Sequence, residues 1–307
     1  MKPVVTALIT TYNRAKYLTI AIESVLHQSF RDFELLILDN SSKDETESIV
    51  KGFNDARLNY IKHEPLNISQ ARNLGVRKAA GEFVAFLDDD DEWLPQKLAR
   101  QVAFFQKADP NVALVYGGFI RFDAEGHEFH TYEPWQRGKV LRSLLLLEGE
   151  FTGSASNPML RKSTVLELGG FDEEVRTGED WELYLRLAEK YEVDLIPDPV
   201  VRIRHHFGAR LGDRLGDYLD LERRVLKRFG YLIESDKELH SFWLQRIGGK
   251  LIRLGQCVEG RKMIIRAICR RPWTGTAYIQ YVSSILGEDF YRYCHRLYLN
   301  RKRTVKT

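Results

Sequence analysis

Phe83-Val84-Ala85-Phe86-Leu87-Asp88-Asp89-Asp90-Asp91 decides how this chain is read: five apolar residues run directly into four adjacent carboxylates. A short continuous apolar run with polar bounds reads as a strand buried on both faces. The aspartates then stand at its carboxyl end. Adjacent carboxylates repel one another, and burying them without compensation is costly. A hard divalent cation compensates them, because Mg²⁺ or Mn²⁺ takes oxygen ligands and keeps positions open for phosphate. The competing reading is a solvated acidic loop that merely ends the strand. An EF-hand calcium loop fits poorly, since Trp93 stands where its sixth-position glycine belongs. An aspartate-nucleophile phosphatase fits poorly too, with Glu92 in place of the usual Thr or Val.

Working outward, β-rich runs at residues 4–9, 33–38, 58–62, 82–87 and 112–116 alternate with helical stretches. The first helix is carried by Tyr17, Ile20, Ala21, Ser24 and Val25. The second is expected from about Lys43, with Ser42 and Glu45 as a capping box. Ser69 is placed to cap a helix reaching Ala79, and a fourth runs from Pro95 to Lys107. This alternation predicts an α/β fold, a doubly wound, mostly parallel Rossmann-like sheet. Ligands bind beyond the carboxyl ends of such strands. Thr10-Thr11-Tyr12-Asn13-Arg14, Asp39-Asn40 and the four aspartates all fall at those ends, so three separate segments are expected to converge on one cleft.

Each polar residue there has a bland reading beside a functional one. Asp39 accepts hydrogen bonds from a nucleobase imide or a ribose, or simply forms a turn. Arg72, in the first turn of its helix, makes a diphosphate site together with the helix N-terminus, or is a surface arginine. In Thr177-Gly178-Glu179-Asp180-Trp181-Glu182 one carboxylate is a candidate general base for an acceptor hydroxyl. Against it, Thr177 with Asp180 matches a capping box. His205-His206 follows a strand-like stretch, and His206 is a candidate imidazole ligand for the metal.

The rest of the chain bounds the answer. Its 307 residues, 44% of them hydrophobic, suffice for one sizeable core or a main domain with an appendage. Three cysteines, Cys257, Cys269 and Cys294, lack CxxC spacing and fit a reducing compartment. No secretory leader is expected at Met1-Lys2-Pro3, and no apolar run approaches the ~20 residues that span a bilayer. A cytoplasmic protein, peripheral on the membrane face, is the expectation. Strands are expected near 127–132 and 194–204, and helices near 140–147 and 179–190. Beyond residue 213 the pattern is helical, with helices expected at 236–254, 258–270, 274–286 and 289–299. The boundary is therefore set between a domain at 1–210 and a basic helical region at 211–307. The net charge of +3 conceals an asymmetry: residues 242–307 carry 14 Lys/Arg against 3 Asp/Glu. With Trp243, Trp273, Tyr278, Tyr281, Tyr291 and Tyr293 interleaved, these helices are expected to lie against anionic lipid, the alternatives being a homodimer interface, a helical cap on the first domain or simple solvated faces. No nucleic-acid motif is present.

As a set, these residues resemble the inverting family 2 glycosyltransferases, which have the GT-A fold. The matching segments are Thr10-Thr11-Tyr12-Asn13-Arg14, Leu38-Asp39-Asn40-Ser41-Ser42-Lys43-Asp44, Ala71-Arg72-Asn73-Leu74-Gly75, Phe86-Leu87-Asp88-Asp89-Asp90-Asp91, Gly169-Gly170-Phe171-Asp172 and Gly178-Glu179-Asp180. Each is weak alone; six in order across roughly residues 3–210 are specific. The resemblance implies that Thr10 and Asp39 hold a uracil-type base, Arg72 the nucleotide, Asp88 the ribose and Asp90 the Mn²⁺ or Mg²⁺ that bridges the diphosphate. Tyr12, Arg14 and Asp89 complete the nucleotide-sugar set, and Asp180, beside Glu179, is the base that activates the acceptor. Asn40 and Ser41 depart from the commoner Asp and Gly of the family. The implied reaction moves a sugar from a UDP- or dTDP-sugar to a glycan or lipid-linked acceptor in polysaccharide or surface-glycan assembly. A sugar nucleotidyltransferase would carry a glycine-rich phosphate loop after the first strand, where this chain has no glycine. An inactive binding module would be expected to lose the acids at 88–91 or 179–180, and this chain keeps both.

Overall fold

Alternation along β1 (Val5–Thr11) sends Val5, Ala7 and Ile9 into one apolar core with Leu18, Ile22 and Val25 of α1 (Ala15–Leu26). Leu8, the alternate residue, and Leu38 of β2 (Phe33–Asp39) are met instead by α3 (Ile68–Lys78). Gly75 allows that approach, since a Cβ there would stand 2.7 Å from Leu38 and 2.8 Å from Leu8. Helices thus cover both faces of the sheet, as a doubly wound fold requires.

The computed structural model describes residues 2–205, 215–287, 290–294 and 297. The chain divides into two compact units, Met1–Gly208 and Ala209–Thr307. In the first, β3 (Leu58–Lys62), β2, β1 and β4 (Phe83–Asp88) run parallel in that order. β6 (Val112–Phe122) and β9 (Glu192–Arg204) form a second parallel pair, extended by the two-residue β5 (Glu92–Trp93). Between the groups lies β8 (Met159–Arg161), antiparallel to both β4 and β6. β7 (Glu128–Tyr132) returns along β6. The mixed α/β sheet is mostly parallel, as expected. Its departure is β8, which separates the fourth and fifth expected strands.

Three helix caps differ from the sequence reading. α2 (Thr46–Gly52) begins after Glu45, and Ser42 caps nothing there: its hydroxyl accepts from the Asn13 amide at 2.9 Å. α3 is capped by Asn67 and Gln70 in a reciprocal box rather than by Ser69, whose hydroxyl donates to the Val175 carbonyl. α7 (Glu179–Lys190) starts from Gly178 in the left-handed region with no side-chain cap, so the capping box of Thr177 with Asp180 is absent. α4 (Lys97–Phe105), α5 (Leu141–Leu146) and α6 (Lys162–Glu167) complete this unit.

The second unit holds α8 (Leu215–Ser235), α9 (Lys237–Arg253), α10 (Cys257–Arg270) and α11 (Gly275–Ile285). Ile252, Ile264, Ala277 and Tyr291 form a small core, and Glu222, almost wholly buried, accepts from Arg246 and Lys250. Of the helix expected over 289–299, residues 290–294 and 297 are described and helical; His206 lies outside the described residues. Among the described residues no helix is long and apolar enough to cross a membrane.

Candidate active site

The parallel register brings the three strand ends side by side: Thr10 is paired with Asp88 and Thr11 with Asp39. Beyond them the loops are tied together. The Asn40 amide donates to the Thr11 carbonyl, the Lys43 amide to Asn13 Oδ1, and the Ala15 amide to Asp44. Asn13 and Ser41 sit in the left-handed region, at φ 52° and 62°. Asn40, one of the departures from the family pattern, grips the chain ahead of α3 by exchanging hydrogen bonds with the Leu66 backbone.

The four aspartates separate into two pairs. Asp89 and Asp91 turn inward. Asp89 accepts from the Thr11 hydroxyl at 2.7 Å, and burial pushes its carboxyl up to about 7 although that bond opposes the shift. Asp91 accepts from the Ser154 and Ser156 hydroxyls and from the Arg204 amide, at 3.0, 2.7 and 2.8 Å. Burial raises it well above the carboxylate range, with Asp88 and Asp90 adding to the effect. Ser156 also accepts from the Asp88 amide, so this inner pair fixes the loop that presents the outer one. Asp88 and Asp90 turn outward, towards Arg72 and Arg14, at 2.8 and 3.1 Å. Burial raises Asp88 as well, with the Arg72 charge opposing.

Arg72 links the acidic run to the second acidic feature. Its side chain is 5% exposed, donates to Asp88 at 2.8 Å and to Glu179 at 2.6 Å, and stands beside the rings of Phe86 and Phe171. Burial alone would lower its pKa; Glu179, Asp88 and Asp180 raise it above its ordinary value, so it stays charged. Asp180 is pushed up to about 6, by burial first and then by the Glu179 charge, with Arg72 opposing. Its Oδ1 accepts from the adjacent Trp181 amide.

Backbone ties hold this acid pair against α3. Arg186, buried in α7, donates to the Leu168 and Gly170 carbonyls at 2.7 Å each and closes on Glu182. Asn73 of α3 grips the same loop from the other side, accepting from the Phe171 amide and donating to its carbonyl. Gly170 is at φ 76°, and a Cβ there would meet Asn73 Oδ1 at 2.3 Å.

The remaining expected residues take varied positions. Thr10 is half-buried at the end of β1 and Tyr12 is exposed in the loop that follows. Asp39 is fully buried, with one oxygen accepting from the Ser42 amide and the other from the Tyr60 hydroxyl. His205 packs edge-on to Phe129, 5.6 Å between centroids. Asn73, Tyr60, Ser156, Arg186 and Arg204 carry roles that the sequence reading did not give them. Only Asn73 stood inside a segment already singled out, and the small polar residues 152–157 were the one further visible signal.

For a metal, Asp88 and Asp90 bring the hard oxygens that Mg²⁺ or Mn²⁺ prefers, and this donor set fits an ion that draws its other ligands from water and a diphosphate. Among the described residues the one cluster of three such side chains within mutual reach is Asp123, Glu125 and His127. That cluster lies in the turn between β6 and β7, where Asp123 already accepts from the Glu125 and His127 amides, and it takes no part in the site.

Comparison with known proteins bears on the family and the fold. The GalNAc(5)-diNAcBac-PP-undecaprenol beta-1,3-glucosyltransferase of Campylobacter jejuni is 36% identical over 180 residues, 56% of each chain. The chain spans between 31% and 72% of the length of the first curated relatives it matches. S. aureus TarS, solved with UDP-GlcNAc, matches 96% of this chain and 91% of its own at a TM-score of 0.65 and 16% identity. A Pyrobaculum calidifontis mannosyltransferase, solved with GDP-Man and Mn²⁺, matches 95% and 85% at 0.56 and 18%. At such identities the two structures speak for the fold alone, and they support the expected GT-A architecture. The Glycosyl transferase family 2 model matches residues 6–169, which take in nearly all of β1, the acidic run and the start of the loop that Arg186 secures. Over half of the sequence thus agrees with one family in the region where the strand ends meet: the chain belongs to glycosyl transferase family 2.

Proposed function

We propose that this chain is an inverting glycosyltransferase that moves a sugar from a nucleoside-diphosphate donor, UDP- or dTDP-linked, to an acceptor hydroxyl. The observation that carries the reading is Arg72, a buried cation that joins Asp88 at the donor strand ends to Glu179 beside Asp180. Asp180, raised to about 6, is mostly ionised at neutrality yet more basic than an ordinary aspartate, and so suits a general base. In the reaction Asp180 takes the acceptor proton as the acceptor oxygen bonds to the anomeric carbon. The bond to the diphosphate oxygen breaks on the opposite side, its electron pair leaves with the nucleoside diphosphate, and the anomeric configuration inverts. Asp90 would hold a Mg²⁺ or Mn²⁺ ion, which supplies Lewis-acid stabilisation to the departing diphosphate, with Asp88 on the ribose.

The C. jejuni relative is named for an undecaprenol-diphosphate-linked acceptor. A lipid-linked glycan is accordingly the acceptor class proposed here, within surface-glycan or polysaccharide assembly. The test is a panel of UDP-, dTDP- and GDP-sugars with and without Mn²⁺, read by donor hydrolysis and by thermal shift. Stabilisation by one nucleotide class, increased by Mn²⁺ and lost in Asp90→Ala, is the expected result. A panel in which no nucleotide sugar stabilises the chain sinks the reading. Binding unchanged in Asp90→Ala removes the metal assignment alone.

A further inference from the structure

α11 is built inside out. Its sequence, Gly-Thr-Ala-Tyr-Ile-Gln-Tyr-Val-Ser-Ser-Ile, contains no charged residue. A helix on a water-soluble domain normally buries its large apolar residues and exposes its polar ones. Here Ala277, Ser283 and Ser284 are buried, while Tyr278, Ile279, Val282 and Ile285 are exposed, followed by Leu286. These five recur at i, i+1, i+4, i+7 and i+8, which is a single helical face. Ile279, at 65% exposure, and Leu286, at 63%, lie far outside the range of core residues. The inner face has its own explanation, because Ala277 enters the core with Ile252 and Ile264 and the Ser284 carbonyl accepts from Arg261. The outer face has none among the described residues of the unit.

Two further features identify what would cover it. Trp273, in the turn between α10 and α11, is 96% exposed, and an indole with an apolar body and a polar N–H is suited to a membrane–water boundary. The outer face of α10 adds Val258 and Ile265 among Lys262, Arg266 and Arg270, all exposed, with Glu259 the one exposed acid of that helix. Apolar side chains set among cations match a negatively charged lipid surface and do not match a second copy of the same basic face, which would repel it. Lysine and arginine stems also extend over apolar surface while their charges stay at headgroup level.

We propose that the outer faces of α10 and α11, with Trp273 between them, insert into the interfacial layer of an anionic membrane, lying on it rather than crossing it. This inference is independent of the glycosyl-transfer reading, because lipid binding is measured without donor or acceptor.

The experiment is flotation of the full chain with vesicles of phosphatidylcholine alone or mixed with phosphatidylglycerol, at low and high salt. Wild type is expected to float with the mixed vesicles, more weakly at high salt. Ile279→Ser/Val282→Ser/Ile285→Ser is expected to stay in solution; these side chains are solvent-facing, and circular dichroism checks that the fold is retained. Lys262→Gln/Arg266→Gln is expected to lower partitioning on mixed vesicles by roughly fivefold per charge removed. Three results overturn the proposal: wild type that floats with neither vesicle, a triple variant that floats like wild type, or sedimentation showing a dimer that the triple variant dissolves while vesicles go unbound.

Discussion

Arg72 and Arg14 each hold one outward carboxylate of the same acidic run, yet their surroundings are opposite. The Arg72 side chain is 5% exposed, flanked by two rings and bonded to acids from two elements; that of Arg14 is 41% exposed and meets Asp90 at 3.1 Å. A buried pair cannot lose one member without stranding the other, whereas an exposed pair exchanges its partner for water at little cost. The α3 side of the site is therefore fixed before any donor arrives. The β1–α1 side keeps an arginine free to change partners when phosphate enters.

The largest effect is expected on the fixed side. Asp180→Asn should lower transfer by about 10²–10⁴-fold while donor binding by thermal shift stays close to wild type. Loss of donor binding instead would make Asp180 a structural residue and weaken the contrast. As the proposed base, the same group should set a pH profile: its folded value lies above the usual carboxylate value, and a base acts in its ionised form. Transfer, read as kcat/KM, should decline as pH falls through about 6, where an ordinary aspartate would hold it to about 4. The sign for stability is opposite, since a raised carboxyl favours the folded chain when protonated and that contribution disappears as pH rises through about 6.

Next comes Arg72→Ala, which leaves Asp88 and Glu179 without their shared cation and should cost about 3–5 kcal/mol in denaturant unfolding. Asp91→Ala should be milder, roughly 1–3 kcal/mol, from unpaired Ser154, Ser156 and Arg204 donors. Asp91→Asn keeps an acceptor oxygen on a neutral side chain, and should recover most of that loss. The smallest effect belongs to Arg14→Gln, under about 1 kcal/mol in stability, with its consequence confined to donor affinity. If Arg14→Gln destabilises as much as Arg72→Ala, the two sides are alike and the comparison fails.

Much of this arrangement was legible because the strands on the β1 side are apolar runs that stop at polar residues, so their ends could be located and brought together. Thr10, Asp39 and Asp88 meet for that reason. β8 was not legible. Three residues of strand give no periodicity, and its place between β4 and β6 is set by tertiary pairing alone. With it went Ser156, whose two bonds orient the acidic run. The capping misreadings share one cause: Ser42 and Ser69 have cap-forming chemistry, but nearby segments, Asn13 and Val175, engage their hydroxyls first. A local pattern yields where a distant backbone group competes for the same oxygen. Tyr60 and Arg186 stood on regular elements in ordinary patterns, and only contacts distant in sequence give them meaning.

The grip of Asn73 and Arg186 on residues 168–171 has a consequence for motion. It makes α3 and the start of α7 a single cooperative unit, so amide hydrogens at both should exchange through the same opening event rather than by separate fraying. Turnover would then require any breathing of the acceptor side to carry Arg72 along with Asp180. Gly170 becomes a remote lever on that unit, because a methyl group at this position would force Asn73 to release its hold and let two regions that exchange together begin to exchange apart.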